Sequence, residues 1–204
     1  MHIAFRLILS VALVAGRCLH VQSQDVYTVR TKDLLAPIPQ TLWGIFFEDI
    51  GAAPLFAHVT GWQWTPDLIW FDNARSYRTP NYFVQQLFSI NKGSAAVPLL
   101  KEGRAITGQD SCWASAVIDQ NTHELIIKLV NLKKDPREKD IELADARVQG
   151  RATVTTLGDS RLGTANSLDR ESIVPVATTI PVKGRRLTVM VAPYSLTVLR
   201  VHFE

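Results

Sequence analysis

The clearest structural pattern in this chain is the sequence WASAVIDQNTHELIIKLVN at residues 113–131. Residues 113–118 and 124–131 are rich in apolar and β-branched side chains, and the tetrapeptide at 119–122 between them favours a turn. The spacing therefore predicts a β-hairpin. Alternate side chains of its second strand point to opposite faces: Ile126, Lys128 and Val130 to one, and Ile127 and Leu129 to the other.

Short strand patterns continue on both sides of this hairpin. We predict further strands at residues 25–33, 152–157, 173–182, 186–192 and 196–203. Residues 133–139, which include Pro136, are predicted to form a charged loop. Several short strands at this spacing, with almost no helical pattern after residue 93, favour an antiparallel, jelly-roll-like β-sandwich.

A different pattern lies at residues 42–50, LWGIFFEDI, and at residues 66–73, PDLIWFDN. In each, a continuous apolar run leads into acidic side chains, as in a strand that a parallel sheet buries on both faces. Functional groups of α/β barrels lie at such strand ends. We therefore consider Glu48, Asp49 and Asp72 as ligand-binding groups. For Asp49 and Asp72 we prefer hydrogen bonding to the loop backbone, and for Glu48 both interpretations stay open.

A helix is predicted over residues 80–90, directly after the second of these patterns. Thr79 is its expected N-cap, and a proline occupies its first position. The spacing puts Phe83, Leu87 and Ile90 on one face. Strand, loop and capped helix together form one β/α unit.

Composition and length exclude several classes of protein. The chain has 204 residues, of which 47% are hydrophobic and 20% charged, as in ordinary globular proteins. Its net charge of +3 is scattered, which argues against a nucleic-acid partner. A complete (β/α)8 barrel needs about 250 residues, so this sequence is too short to contain one. The sequence lacks phosphate-binding, dinucleotide and zinc motifs, and His58, His123 and His202 lack ligand spacing, so we predict no cofactor and no metal.

The first 23 residues have the pattern of a secretory signal peptide. Arg6 precedes an apolar run at residues 7–16, and small residues precede Gln24. We therefore predict a secreted or extracytoplasmic protein without a membrane segment after cleavage. Cys112 is then left without a second cysteine, and we expect it to be a small buried apolar side chain.

Several longer segments are similar to one enzyme family. They are LWGIFFEDI, the idiosyncratic APLFAHVTGWQWTPDLIWFDNARSYRTPNYFVQQLF at residues 53–88, ANSLDRESIVP at 165–175 and PYSLTVLRV at 193–201. Together they resemble the α-L-arabinofuranosidases of glycoside hydrolase family 51. The resemblance implies a catalytic (β/α)8 barrel, a β-sandwich built from both chain ends, and retaining hydrolysis of terminal non-reducing α-L-arabinofuranosyl residues in arabinan and arabinoxylan.

The resemblance also implies a domain order. Residues 24–40 supply an N-terminal strand to the sandwich, and residues 94–204 form the C-terminal β-sandwich. Residues 41–93 correspond to a small α/β remnant of the barrel, with its first strand, last strand and last helix. The intervening barrel strands have no counterpart, so the chain resembles an internally truncated member of the family.

The resemblance assigns no catalytic residue to this chain. The family's acid/base glutamate follows an asparagine, yet the sequence contains no Asn-Glu dipeptide, and the nucleophile has no counterpart either. Because a retaining glycosidase needs two carboxyl groups about 5–5.5 Å apart, we expect the chain to be inactive alone. Whether it is an enzyme at all stays open, and so does its oligomeric state.

Three residues are candidates for contact with an arabinose-containing polysaccharide. Glu48 resembles the family glutamate that hydrogen-bonds arabinose. Trp62 and Trp64 have aromatic faces on which a sugar ring can stack, or they pack a strand against the sandwich. The alternative to the enzyme family function is a non-catalytic secreted β-sandwich module that binds a glycan or a protein partner.

Overall fold

The computed structural model of this protein describes residues 25–39, 57–58, 68–72 and 74–204. The predicted signal peptide at residues 1–23 and the predicted strand at residues 42–50 lie outside the described residues.

The described residues form fifteen strands, one α-helix and one 3₁₀ turn. In chain order these are β1 (Asp25–Val29), β2 (Ala36–Pro37), β3 (Ala57–His58), β4 (Ile69–Phe71), β5 (Ser76–Arg78), α1 (Pro80–Ile90), β6 (Ala95–Val97), β7 (Leu99–Lys101), β8 (Arg104–Ala105), the 3₁₀ turn (Gln109–Ser111), β9 (Cys112–Asp119), β10 (Glu124–Asn131), β11 (Arg137–Leu143), β12 (Val148–Gly158), β13 (Val176–Gly184), β14 (Arg186–Val191) and β15 (Ser195–His202).

Two large sheets pack face to face. One has the strand order β14-β11-β1-β7-β8 and the other the order β13-β12-β15-β10-β9-β6-β2. Buried side chains from both sheets fill the core between them, including Tyr27 and Ile141 from the first and Ile127 and Leu199 from the second. The predicted β-sandwich is therefore confirmed.

Strand β1 lies in the middle of the five-stranded sheet. It runs antiparallel to β7, with Val29 opposite Leu99, and parallel to β11, with Val29 opposite Leu143. The pairing with β11 is the one parallel pair that the described residues show within the sandwich. The beginning of the described chain is thus built into a sheet made otherwise of later strands.

The predicted charged loop at residues 133–139 is wrong at its C-terminal end, because β11 begins at Arg137. The strand is hard to recognise because one of its inward side chains, Lys139, is charged. Lys139 is only 3% exposed, and its Nζ lies 2.5 Å from the Asp25 carboxylate. A partner 114 residues away therefore permits a lysine where the alternation of a strand requires an apolar residue.

The predicted hairpin is confirmed. Strands β9 and β10 pair antiparallel, with Asp119 opposite Glu124 at the turn. Leu125, Ile127 and Leu129 point into the core between the sheets. Ile126 points to the opposite face of the seven-stranded sheet, where α1 packs.

The helix is also confirmed, with the predicted bounds and the predicted cap. The Thr79 hydroxyl accepts a hydrogen bond from the backbone N–H of Tyr82. Phe83 and Leu87 are buried in a second hydrophobic cluster between α1 and the outer face of the seven-stranded sheet. Ile90 is 63% exposed, because it ends the helix beside an open depression.

A small third sheet, of order β3-β4-β5, precedes the helix. Strand β4 runs parallel to β3 and antiparallel to β5. Among the described residues, no helix has both the length and the apolarity required to span a bilayer.

Candidate functional site

The structure describes only part of the predicted site. Glu48, Asp49, Trp62 and Trp64 lie outside the described residues. Asp72 is described, and its Oδ1 accepts hydrogen bonds from the backbone N–H groups that follow it in the loop, at 2.7–2.8 Å. These bonds lower the pKa of Asp72, with a smaller contribution from the neighbouring guanidinium. The interpretation of Asp72 as a loop-stabilising residue is therefore confirmed.

One loop of the sandwich is attached to the strand that leads into α1. The Asn166 side chain, 5% exposed, donates to the carbonyl oxygens of Arg78 and Ile173 at 2.8 and 2.9 Å. Its oxygen accepts from the Ile173 N–H at 2.7 Å. On the surface, Arg78 forms an ion pair with Glu171 at 2.7 Å. This loop holds the start of the helix against the sandwich.

The C-terminal end of α1 is held by a buried lysine. Nζ of Lys128, a residue 5% exposed, donates to the Asn91 carbonyl oxygen at 2.6 Å and lies 5.4 Å from the centre of the Phe88 ring. Burial, and secondarily the positive charge of Arg200, lowers the pKa of Lys128 to about 8. The hairpin pattern predicts which face this lysine occupies, and the only further signal in the sequence is its place within the apolar run ELIIKLVN.

An apolar groove lies on the sheet face beside α1. It has a volume of about 410 Å³, and its walls include Val84, Phe88, Val130, Leu132, Leu162 and Tyr194. Among the residues that the structure describes, the charged ones that line it are Asp159 and Arg161. An apolar cavity of this size suits apolar side chains better than a sugar, which requires several convergent polar groups.

A smaller depression, of about 300 Å³, lies at the C-terminal end of the helix. It is more polar, with Lys92, Asp119 and Arg200 among its lining residues. The Arg200 guanidinium is already engaged there, because it forms an ion pair with Glu124 and donates to the Asn91 side chain at 3.2 Å. The depression therefore belongs to the structural network under the helix.

Six carboxylates in the described part of the chain have pKa values that favour the ionised form. Every Asp or Glu there with a resolved pKa shift has its pKa lowered: Asp25, Asp72, Glu124, Asp145, Asp159 and Glu171. For Asp159 the side chain and backbone N–H of Arg161 lower the pKa to about 2. A general acid of a glycosidase needs the opposite shift. These carboxylates bind cations and backbone N–H groups that hold the fold together.

Two sequence predictions concern Cys112 and metal binding. Cys112 is free and 4% exposed, as predicted for a buried apolar side chain. Within residues 25–39, 57–58, 68–72 and 74–204, no three His, Cys, Asp or Glu side chains gather as metal ligands would.

The sandwich and its attached helix match a known family. Residues 51–195 match the family model described as the α-L-arabinofuranosidase C-terminal domain. The chain belongs to this family. The matched residues include α1 and the loop at Asn166, so the features that hold the helix to the sheet lie within the family's C-terminal domain.

Individual relatives of this α-L-arabinofuranosidase C-terminal domain are much longer than the chain. α-L-Arabinofuranosidase 1 of Arabidopsis thaliana is 27% identical over 153 residues, which cover 71% of this chain and 22% of the relative. The extracellular exo-α-L-arabinofuranosidase of Streptomyces chartreusis is 50% identical over 46 residues, or 22% of this chain and 6% of the relative. The matched part of the chain thus spans less than a quarter of the length of either relative.

A solved structure shares the fold. An arabinose-bound family 51 α-L-arabinofuranosidase superposes with a TM-score of 0.63 at 24% identity, covering 70% of this chain and 22% of that one. The family 51 enzyme of Thermotoga petrophila RKU-1 has a TM-score of 0.59 at 20% identity, covering 67% of this chain and 32% of that one.

Proposed function

We propose that this chain is a C-terminal β-sandwich module of the α-L-arabinofuranosidase family that does not hydrolyse glycosides alone. The observation that carries the proposal is the match of residues 51–195 to the family's C-terminal domain. The family activity, removal of terminal non-reducing α-L-arabinofuranosyl residues, then requires residues that this chain lacks.

The carboxylates with a resolved pKa shift, and those outside the described residues, support this proposal. Among the described residues, each carboxylate with a shifted pKa favours the ionised form. Outside the described residues, the sequence offers only Glu48, Asp49 and Asp67. A retaining mechanism needs a protonated acid and an ionised nucleophile that influence each other's pKa. The family motif matches only Glu48 among the three, and it matches it to a sugar-binding position.

The test is an assay with p-nitrophenyl α-L-arabinofuranoside. We expect the purified chain to release no more p-nitrophenol than a buffer blank, whereas full-length α-L-arabinofuranosidase 1 serves as the positive control. Release of p-nitrophenol by the wild-type chain would contradict the proposal if Glu48→Gln abolished it. Such a result would place a catalytic carboxylate in this sequence.

We propose further that the chain is an internally truncated family member. Its length is the support, because 71% of the chain covers only 22% of the Arabidopsis relative. Sequencing the genomic region around the codons for Ile50 and Gly51 tests this. An in-frame segment of several hundred codons at that point would contradict the proposal, because the gene would then encode a longer protein with the intervening barrel strands.

We also propose secretion, with residues 1–23 removed as a signal peptide. The sequence pattern supports this, and the matched Streptomyces chartreusis protein is named as extracellular. Sequencing of the N-terminus of the secreted protein should begin at Gln24, and an intact Met1 in the medium would argue against cleavage.

The alternative function is glycan binding without catalysis, through Glu48, Trp62 and Trp64. An arabinose-containing oligosaccharide or polysaccharide is the expected ligand. Titration of arabino-oligosaccharides by calorimetry separates the two proposals. Saturable binding that Trp64→Ala removes would favour a binding module, and a flat titration would leave the module without a glycan ligand.

A further inference from the structure

Strand β5 lies at the edge of the small three-stranded sheet. In the part of the chain that the structure describes, β4 pairs with one side of β5 and no strand pairs with the other. The Arg75 carbonyl oxygen and the Thr79 N–H form backbone hydrogen bonds on the β4 side, at 2.9 Å each. Because alternate residues of a strand turn their backbone groups to opposite sides, the N–H and carbonyl oxygen of Arg78 point away from β4. An edge of this kind is a template on which another extended chain can add a strand.

The loop at residues 166–171 covers this edge with two side chains. The Arg78 N–H donates a hydrogen bond to Oε1 of Glu171 at 2.7 Å. The Arg78 carbonyl oxygen accepts one from Nδ2 of Asn166 at 2.8 Å. A carboxylate and an amide therefore occupy the donor and the acceptor with which a further strand would pair.

The loop is anchored so that these two side chains keep their places. Backbone hydrogen bonds join Ser167 and Arg170 in both directions, at 2.8 and 3.1 Å. The Asn166 side chain also binds the N–H and the carbonyl oxygen of Ile173, at 2.7 and 2.9 Å. Ile173 is itself buried in the cluster between α1 and the seven-stranded sheet. The contact with β5 is therefore fixed to the core of the module.

Charge strengthens the contact at Glu171. Its carboxylate also binds the guanidinium group of Arg78, with nitrogen–oxygen distances of 2.7 and 3.3 Å. The side chain of Arg78, and after it the backbone N–H, lowers the pKa of Glu171, so the carboxylate stays ionised. An ionised acceptor forms a stronger hydrogen bond than a neutral one. The N–H of Arg78 is thus bound more strongly than by the carbonyl oxygen of an added strand.

We propose that the loop at residues 166–171 is an edge cap, which fills the outer hydrogen-bonding positions of β5 and thereby prevents copies of the chain from pairing edge to edge. Asn166 and Glu171 then have a role beyond holding the start of α1, because they block association at a strand that has no neighbour among the described residues. The proposal does not depend on whether the chain hydrolyses arabinosides.

The test combines amide hydrogen exchange with sedimentation velocity on the full chain. In Glu171→Leu the Arg78 amide should exchange at least about tenfold faster than in the wild type, because its charged acceptor is gone. The same variant should form more of the larger species at high protein concentration. Glu171→Gln keeps an acceptor oxygen at the same place and should restore most of the protection and the wild-type association. Glu171→Ser is too short to reach the N–H, and it replaces the leucine variant if that one does not fold.

Asp169→Leu is the matched control. Asp169 lies in the same loop, has an 88% exposed side chain and pairs with Arg75 at 3.0 Å. The substitution removes the same charge and adds the same apolar side chain without a contact to Arg78, so exchange and association should stay as in the wild type. Unchanged exchange of the Arg78 amide in Glu171→Leu would overturn the proposal. So would faster exchange without added association, or equal association of the two leucine variants, which would assign the effect to the new apolar surface.

Discussion

At the scale of single residues, the position of α1 depends on a buried lysine. Lys128 lies 5% exposed among apolar neighbours, and within the described residues no ion pair joins it to a carboxylate. The partial negative charge at the C-terminal end of the helix and the face of Phe88 compensate part of the cost of burial. Burial, and secondarily the positive charge of Arg200 on the adjacent strand, lowers the pKa of Lys128.

This lysine predicts a dependence of stability on pH. The pKa of Lys128 is about 8 in the folded chain and 10.5 when exposed, so the unfolded chain binds more protons between these values. The free energy of unfolding should therefore rise with pH in this window, by about 2 kcal/mol between about pH 7 and pH 9.5. Urea titrations at the two pH values measure it. In Lys128→Met the rise should disappear.

The chosen pH range and a control variant separate the effect of Lys128 from that of other titratable groups. The raised pKa values of Tyr27, Lys101 and Lys139 reduce stability only above about pH 10. Lys134→Met removes an exposed lysine three residues beyond β10 and should retain the full rise. A rise that persists undiminished in Lys128→Met would show that another group is responsible.

At the scale of elements, α1 illustrates structure that is encoded locally. Its N-cap hydroxyl accepts from the Tyr82 N–H at 3.3 Å and donates to the Leu68 carbonyl oxygen at 3.1 Å. Thr79→Ala removes both bonds and should lower the free energy of unfolding by about 1 kcal/mol. Thr79→Ser keeps the hydroxyl and should recover most of the loss. Urea unfolding of the three proteins measures this, and equal losses in both variants would assign the effect to the missing methyl group instead.

The sequence predicts the elements that local contacts determine, and it does not predict features that depend on a distant partner. The helix and the hairpin follow from caps, turns and alternation within a few residues of each other. Strand β11 does not follow from local patterns, because its inward Lys139 depends on Asp25. The role of Lys128 does not follow from them either, because its acceptor at Asn91 lies 37 residues away. Glu48, Trp62 and Trp64 remain predictions from sequence.

At the scale of the whole molecule, the sandwich is closed by its first described strand. β1 supplies Tyr27 and Val29 to the core, 2% and 0% exposed, and pairs with a strand on either side. Asp25 at its start binds both Lys101 and Lys139, at 2.7 and 2.5 Å. The module therefore needs residues from before and after the α/β elements, so removing either end should affect the entire sandwich.

Deletion of residues 25–33 tests this dependence. Burial of Tyr27 and Val29 contributes about 2–3 kcal/mol each, against a typical net stability of about 5–15 kcal/mol. The deletion also leaves β11 and β7 without their shared partner. We expect the shortened chain to lose cooperative urea unfolding and the dispersion of its amide resonances, whereas deletion of residues 1–23 alone preserves both. An unchanged urea midpoint after loss of residues 25–33 would mean that the later strands close the sandwich without β1, since β11 and β7 would then have to pair directly or tolerate an open edge.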